Sequence, residues 1–438
     1  MKDKIISYFG IDKHGSTIRR EILAGFTTFI SMAYILFVNP TVLGAAHMDK
    51  GAVFTATALA SAFGCLMMGL YAKYPIATAP GLGVNAFFAY SVVIGMGIPW
   101  QTALAGVFVA AIIFLLITVF KLREMIIDSI PQDLKYAISA GIGLFIAFIG
   151  MKSAGIIVAN KSTLVGLGTF QGQTWLSIIG FVLMAVLMLL NVPGAIFIAM
   201  LVAAIIGMVT GLIPAPHQFI SSAPSLAPTF GQAIKHVTDI NTMQLVVVVI
   251  TFLLVTFFDT AGTLVGLAQQ AGFMKDNKMP RVGKALLSDS SAMLVGSVLG
   301  TSPIGAYVES SAGIAVGGRT GLTAVTTGVL FILGMFFSPL LTVVTSYVTA
   351  PALIMVGVLM AGNMARISWW DKLEIAIPSF VILATMPLTY SIADGIALGV
   401  IFYPITMITA KRGKEVPPLM YVLFFVFLIF LWILQTGE

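Results

Sequence analysis

Three polar side chains lie inside long apolar runs and could do chemistry there: Asn85, Asp259 and Glu309. Glu309 belongs to Gly300 to Gly321, GTSPIGAYVESSAGIAVGGRTG, which Pro303, Gly305, Gly313, Gly317 and Gly318 punctuate. The apolar run from Tyr307 to Val316 is too short to cross a bilayer unaided, since a spanning helix needs about 20 residues. Irregular backbone at membrane depth is tolerated only where protein or a wet cavity satisfies its N–H and C=O groups. A carboxylate at the bilayer centre costs roughly 2.5–3.5 kcal/mol on insertion scales, so one held in a broken helix reads as a binding group. Asp259 in FFDTAGTLVG and Asn85 in TAPGLGVNAFF complete the set. A carboxylate that accepts N–H bonds, opposite the free N–H donors that start a half-helix, suits the polar edge of a heterocycle. Phe29, Tyr34, Phe87, Phe88, Phe257, Phe258 and Tyr307 are the flat or bulky side chains that could stack on it. Each polar group also has a purely structural alternative. Glu309 could glue helices, Thr260 and Thr263 could satisfy Asp259, and Asn85 could cap a half-helix.

These residues need long apolar elements to hold them, and the composition supplies little else. Of 438 residues, 59% are hydrophobic and 9% charged, with a mean hydropathy of +1.04. That excludes a soluble fold of this length and gives an all-α polytopic membrane protein. Fifteen apolar stretches run between positions 22 and 436, and the third (79–95) and tenth (304–317) read as half-helices. With a cytoplasmic N-terminus, alternate loops gather 19 of the 23 Lys and Arg on one side, leaving Lys50, Lys152, Lys161 and Lys235 on the other. That bias sets the orientation. The stretch 213–242, with Pro214, Pro216, Pro224 and Pro228, falls outside, near mid-chain. Whether 418–436 crosses stays open. Asp289, one turn beyond Lys284, reads as an ion-pair or capping residue, and Asp394 after Ser391 as a helix start.

The two halves resemble each other. Thr78-Ala-Pro80-Gly-Leu-Gly83-Val-Asn85 matches Thr301-Ser-Pro303-Ile-Gly305-Ala-Tyr-Val-Glu309, each placing Thr-x-Pro, then glycine, then a polar side chain. Seven segments separate them, an odd number, so the second unit is inverted relative to the first, the pattern that marks a secondary transporter's site.

Other classes fare worse. The lone Cys65 sits in an apolar segment, which excludes an intrachain disulfide and points to no Cys-based metal site. His14, His47, His217 and His236 fall in loops or the terminus, so neither a histidine proton relay nor a hydrolytic centre is expected at membrane depth. No G-x-x-x-x-G-K-[ST] loop is present, so no ATP-driven pump is expected. The net charge of +6 is spread over short loops and speaks to topology, with no nucleic-acid partner implied. The N-terminus lacks a cleaved-signal pattern, and the chain is expected to be retained whole. No cofactor and no metal are expected.

AGFTTFISMAYILFVNP, TAPGLGVNAFFAY, FFDTAGTLVG and GTSPIGAYVESSAGIAVGGRTGLTAV together resemble the AzgA-like branch of the nucleobase permeases, relatives of the uracil transporter UraA. The resemblance covers nearly the whole chain. It implies about fourteen segments in a seven-plus-seven inverted repeat, proton-coupled uptake of purine bases at the cell membrane, and a homodimer. It also implies a domain plan: a cytoplasmic segment 1–21, core parts 22–120 and 243–347, gate parts 134–213 and 350–438, and an extracellular connection 214–242. In this family Glu309 would hold the purine, Asp259 would bind substrate or couple protons, and Asn85 would complete the site from the opposite half-helix; Phe87, Thr263 and Tyr307 are further substrate-binding candidates, and Glu309 a second proton-coupling one. The uracil branch places a histidine four residues beyond the eighth-segment acid, where this chain has Thr263, which favours the AzgA-like assignment. Guanine and hypoxanthine each offer an N1–H beside a C6 carbonyl, matching an acceptor beside an N–H donor, whereas adenine reverses that edge. An adenine permease of the same branch is the alternative, and an anion exchanger of the same fold a more distant one.

Overall fold

Lipid cannot hydrogen-bond backbone, so a chain this apolar must satisfy its peptide groups internally, and helices dominate. The computed structural model describes residues 2–120, 131–216, 218–240, 243–274, 279–369 and 371–436. His217 and the side chains of Phe257, Phe258 and Asp259 lie outside the described residues.

A short helix α1 (Lys2–Phe9) leads to α2 (Ile18–Met32) and α3 (Ile35–Ala45), which form one apolar rod bent at Ala33 and Tyr34. The Thr17 hydroxyl caps α2 by accepting from Arg20 N at 3.2 Å. This first rod spans Ile18–Ala45. Then follow α4 (Lys50–Leu66), continued as π-helix to Ala72, the strand β1 (Thr78–Pro80), and α5 (Leu82–Ala86), continued as π-helix to Gly95. Next come α6 (Trp100–Val119), α7 (Gln132–Ser153), a hairpin of β2 (Ile157–Asn160) and β3 (Leu164–Leu167), α8 (Gly172–Leu189) and α9 (Ala195–Val209). The second half holds α10 (Gln232–Lys235), α11 (Met243–Gln270), α12 (Val282–Leu299), β4 (Ile304–Ala306), α13 (Ser310–Val316) and α14 (Gly321–Gly334). It ends with α15 (Ser346–Ala361), α16 (Leu373–Thr389), α17 (Ile392–Thr409) and α18 (Pro418–Thr436).

Among the described residues, nine helical stretches are long and apolar enough to cross a membrane. The four short strands correct the all-helical expectation. β1 and β4 arise because two broken segments meet, and β2–β3 because the α7–α8 connection folds on itself. Asp394 stands in the first turn of α17, where Ser391 Oγ accepts its N–H at 3.2 Å, as a helix start requires. Asp289 does not cap a helix: it lies two turns into α12 and is fully buried.

Helices α2, α4, α6, α12 and α14 pack on one another, while α7, α8, α15, α16 and α17 form a second set of neighbours. Close approach in the first set depends on missing side chains. A Cβ at Gly321 would stand 1.9 Å from the Gly69 carbonyl oxygen, and one at Gly313 would stand 2.1 Å from Thr28 Oγ1. Gly313 therefore lets α13 lie directly against α2, which carries Tyr34 at its far end. The mid-chain connection is anchored too, with Gly231 N donating to Val298 O at 2.8 Å and Thr229 Oγ1 to Leu299 O at 3.0 Å.

Candidate functional site

Pro80 and Pro303 interrupt their helices by removing an N–H and fixing φ, and the freed backbone of each break pairs with the other. Thr78, Ala79 and Pro80 run antiparallel to Ala306, Gly305 and Ile304. Gly81 N donates to Pro303 O at 3.0 Å and Tyr307 N to Ala77 O at 2.9 Å, extending the ladder past both ends. The Ala77 N–H is taken by Ser310 Oγ at 3.0 Å. Beyond the crossing the chains turn into α5 and α13, and the first N–H groups of α13, those of Ser310, Ser311 and Ala312, donate to the carbonyls of Tyr307, Val308 and Glu309 at 3.1, 2.9 and 3.0 Å.

Glu309 sits immediately before α13 and is half-buried between fully buried Ser310 and exposed Val308. Tyr34, fully buried at the bend between α2 and α3, donates its hydroxyl to Glu309 Oε1 at 2.5 Å. One carboxylate oxygen is thus occupied and oriented, and the other keeps its acceptor capacity. Tyr307 is buried and donates its hydroxyl to Pro80 O at 2.9 Å, riveting the strand crossing. Phe87 is fully buried with Phe252 edge-on at 5.0 Å. Thr263 is partly exposed on α11, which packs against β4 and α13. Asp259 is placed by its backbone on the same helix, one turn before Thr263.

Asn85 is fully buried, and its Nδ2 donates to Asn39 Oδ1 at 2.9 Å. Asn39 is a residue that sequence reasoning missed. Its Nδ2 donates to Thr57 Oγ1 and to Thr301 Oγ1, both at 2.8 Å, and its Oδ1 also accepts from Ser302 Oγ at 3.2 Å. One amide on α3 therefore joins α4, the first break and the start of the second. The available signal was an amide within the apolar run Ile35 to Val42.

A second missed residue is Glu21, a fully buried carboxylate on α2. It accepts from Arg319 N at 3.0 Å, Thr320 N at 3.1 Å and Thr323 Oγ1 at 2.6 Å. These donors surround the start of α14, where a negative charge is favoured. Arg319 Nη1 in turn donates to Ile314 O at 2.6 Å and Gly318 O at 2.8 Å, tying off the end of α13. The segment carrying Glu309 is thus held against α2 at both ends, by Tyr34 and by Glu21. A surface cavity of about 760 Å³, lined by Thr41, Lys50, Ser221, Pro224, Ser338 and Ser346, is separate from these residues. Among the described residues, no cluster of His, Cys, Asp or Glu has the makings of a metal site.

A profile described as Permease family matches residues 19–398. The chain is 56% identical over 434 residues to the guanine/hypoxanthine permease PbuG of Bacillus subtilis (strain 168), covering 97% of this chain and 98% of that protein. It is 44% identical over 425 residues to the adenine permease AdeP of Escherichia coli (strain K12), covering 96% and 94%. Among solved structures, the transmembrane domain of a cyanobacterium bicarbonate transporter, BicA, aligns with a TM-score of 0.63 at 13% identity, covering 90% and 97%. At that identity the likeness concerns the fold alone.

The clamp at Glu21 gives a direct test. Glu21→Gln turns an amide N–H₂ toward backbone N–H donors, and an unsatisfied buried group costs about 1–3 kcal/mol. The purified variant is expected to melt about 1–3 °C below the parent in detergent. An unchanged melting temperature would mean the clamp does not hold the segment.

Proposed function

The chain belongs to the permease family and is a nucleobase permease; on that premise we propose that it imports purine bases, guanine and hypoxanthine first, in symport with protons. The observation that carries the proposal is the Tyr34–Glu309 pair at the crossing of the two breaks. With Oε1 engaged by Tyr34, Oε2 is the acceptor for the N1–H of an oxopurine. The first-turn N–H groups of α5 stand ready for the C6 carbonyl. Phe87 and Tyr307, both buried, shape the wall, and Thr263 contributes a hydroxyl from α11.

Adenine places an acceptor at N1 and a donor at C6, so an ionised Glu309 meets the wrong edge. Sites built on buried hydrogen bonds discriminate strongly against such a mismatch. The adenine reading stays as the second one because of the 44% identity to an adenine permease. The bicarbonate transporter shares only the fold, and a carboxylate at the break argues against an anion as cargo.

Within this reading, the two sets of packed helices are the core and the gate of a seven-plus-seven inverted repeat. The N-terminus faces the cytoplasm, and two copies associate in the membrane. Asp259 is the proton carrier: a carboxylate on the helix facing the second break can take a proton on one side and release it on the other. Glu309 is the alternative carrier.

Two measurements check this. In competition against labelled hypoxanthine, excess guanine is expected to abolish uptake and adenine barely to reduce it; the opposite order would assign the chain to adenine. Separately, Asp259→Asn is expected to lose accumulation driven by a pH gradient while still equilibrating substrate. Accumulation against a gradient in that variant would place the carrier elsewhere.

A further inference from the structure

The polar network around Asn39 has a direction, and the direction starts at Thr57. The Thr57 hydroxyl has one hydrogen, and it is donated to Val53 O at 2.6 Å, within its own helix. Toward Asn39, Thr57 Oγ1 can then only accept. The amide of Asn39 must therefore turn its Nδ2 to Thr57, which leaves its Oδ1 facing Asn85. Asn85 must answer with a donor, its own Nδ2, and so its Oδ1 points away from Asn39. This order follows from counting hydrogens along the chain of contacts, the argument by which amide orientation is assigned. The remaining members do not impose a direction: the hydroxyls of Thr301 and Ser302 rotate freely and can give or take. At the end of the relay, Asn85 Oδ1 is buried and has no donor within reach among the described residues.

We propose that Asn39, locked by Thr57, is a positioning residue that makes the first broken segment present an acceptor, and that Asn85 Oδ1 reads the imidazole N–H of the purine. The proposal rests on the nucleobase reading above and deepens it. With the N1–H of hypoxanthine held by Glu309, the imidazole N–H is its one remaining donor. Asn85 lies a single turn beyond the strand crossing that holds Glu309, and Ser302 of the second break shares the same Asn39 oxygen, so the two readers are linked through one amide. If Asn39 were free to turn over, Asn85 could turn with it and present a donor instead. The site would then lose its preference for a ligand N–H at that edge without losing the Glu309 contact.

The test compares hypoxanthine with thiazolo[5,4-d]pyrimidin-7-one, in which sulfur replaces the imidazole N–H and the N1–H and carbonyl edge is kept. Inhibition constants against labelled hypoxanthine are measured in the full-length protein for the parent, Asn39→Leu, Thr57→Val and Thr57→Ser. The parent is expected to favour hypoxanthine at least tenfold. Asn39→Leu and Thr57→Val should narrow that ratio severalfold, and Thr57→Ser, which keeps the hydroxyl, should preserve it. The ratio is taken within each variant, so it does not depend on how much protein reaches the membrane. Should Asn39→Leu fail to fold, Thr57→Val, a hydroxyl-to-methyl change, carries the test alone. A parent with no preference, or variants that weaken both ligands alike with the ratio unchanged, would overturn the relay. A parent that hypoxanthine does not engage at all would instead overturn the guanine/hypoxanthine reading on which the relay rests.

Discussion

Everything at the site depends on a backbone constraint: two segments are broken at membrane depth, and lipid offers nothing to the N–H and C=O groups the breaks release. The structure meets that constraint by pairing Thr78–Pro80 with Ile304–Ala306, so each break satisfies the other. The pairing brings residues more than 220 positions apart in sequence into register, as the Tyr307–Pro80 hydrogen bond shows. It also places Glu309 beside the crossing, immediately before α13. Without the strand pair neither break would have its backbone satisfied at membrane depth. The glycines nearby serve the same end by letting α13 and α14 press onto α2 and α4.

Much of this was legible in the sequence, for identifiable reasons. Glu309 stood out because a carboxylate in a Gly/Pro-broken apolar stretch has few structural uses. The matching Thr-x-Pro-Gly patterns around Pro80 and Pro303 marked the two breaks. What could not be read was partnership. Tyr34 appeared only as one aromatic among several, because nothing local tells a phenol that its acceptor lies 275 residues away. Asn39 in the first apolar run and Glu21 just before it gave no local sign of their partners. Both are buried and fully engaged with segments from the far half of the chain. The β2–β3 hairpin was missed for a different reason, since Ile157 to Leu167 carries no clean alternation of apolar and polar residues.

The fold by itself does not decide the cargo. The same architecture appears in a bicarbonate transporter at 13% identity, so what the chain carries must be set by its side chains. Here the side chains form two hydrogen-bonded assemblies, Tyr34–Glu309 and Thr57–Asn39–Asn85, each linking the first half of the chain to a break. Both fix an acceptor in place before any ligand arrives. Preorganised acceptors select for ligands with N–H donors at matching positions, and they also tie recognition to the packing of α2 and α3 on the second half. On the proposed reading, a movement of those helices would alter both acceptors together.

On the proposed reading Glu309, oriented by Tyr34, accepts the N–H edge of the base. Its most direct test is the hypoxanthine affinity of purified Glu309→Gln protein, in which size is kept and one acceptor becomes a donor. Loss of about 1.5–3 kcal/mol is expected for a hydrogen bond to a charged group, a drop of roughly tenfold to a hundredfold in affinity. The variant protein should otherwise fold and melt as the parent does. Unchanged affinity in a well-folded Glu309→Gln protein would remove Glu309 from the binding site and would mean that the base is held somewhere other than the crossing of the two breaks.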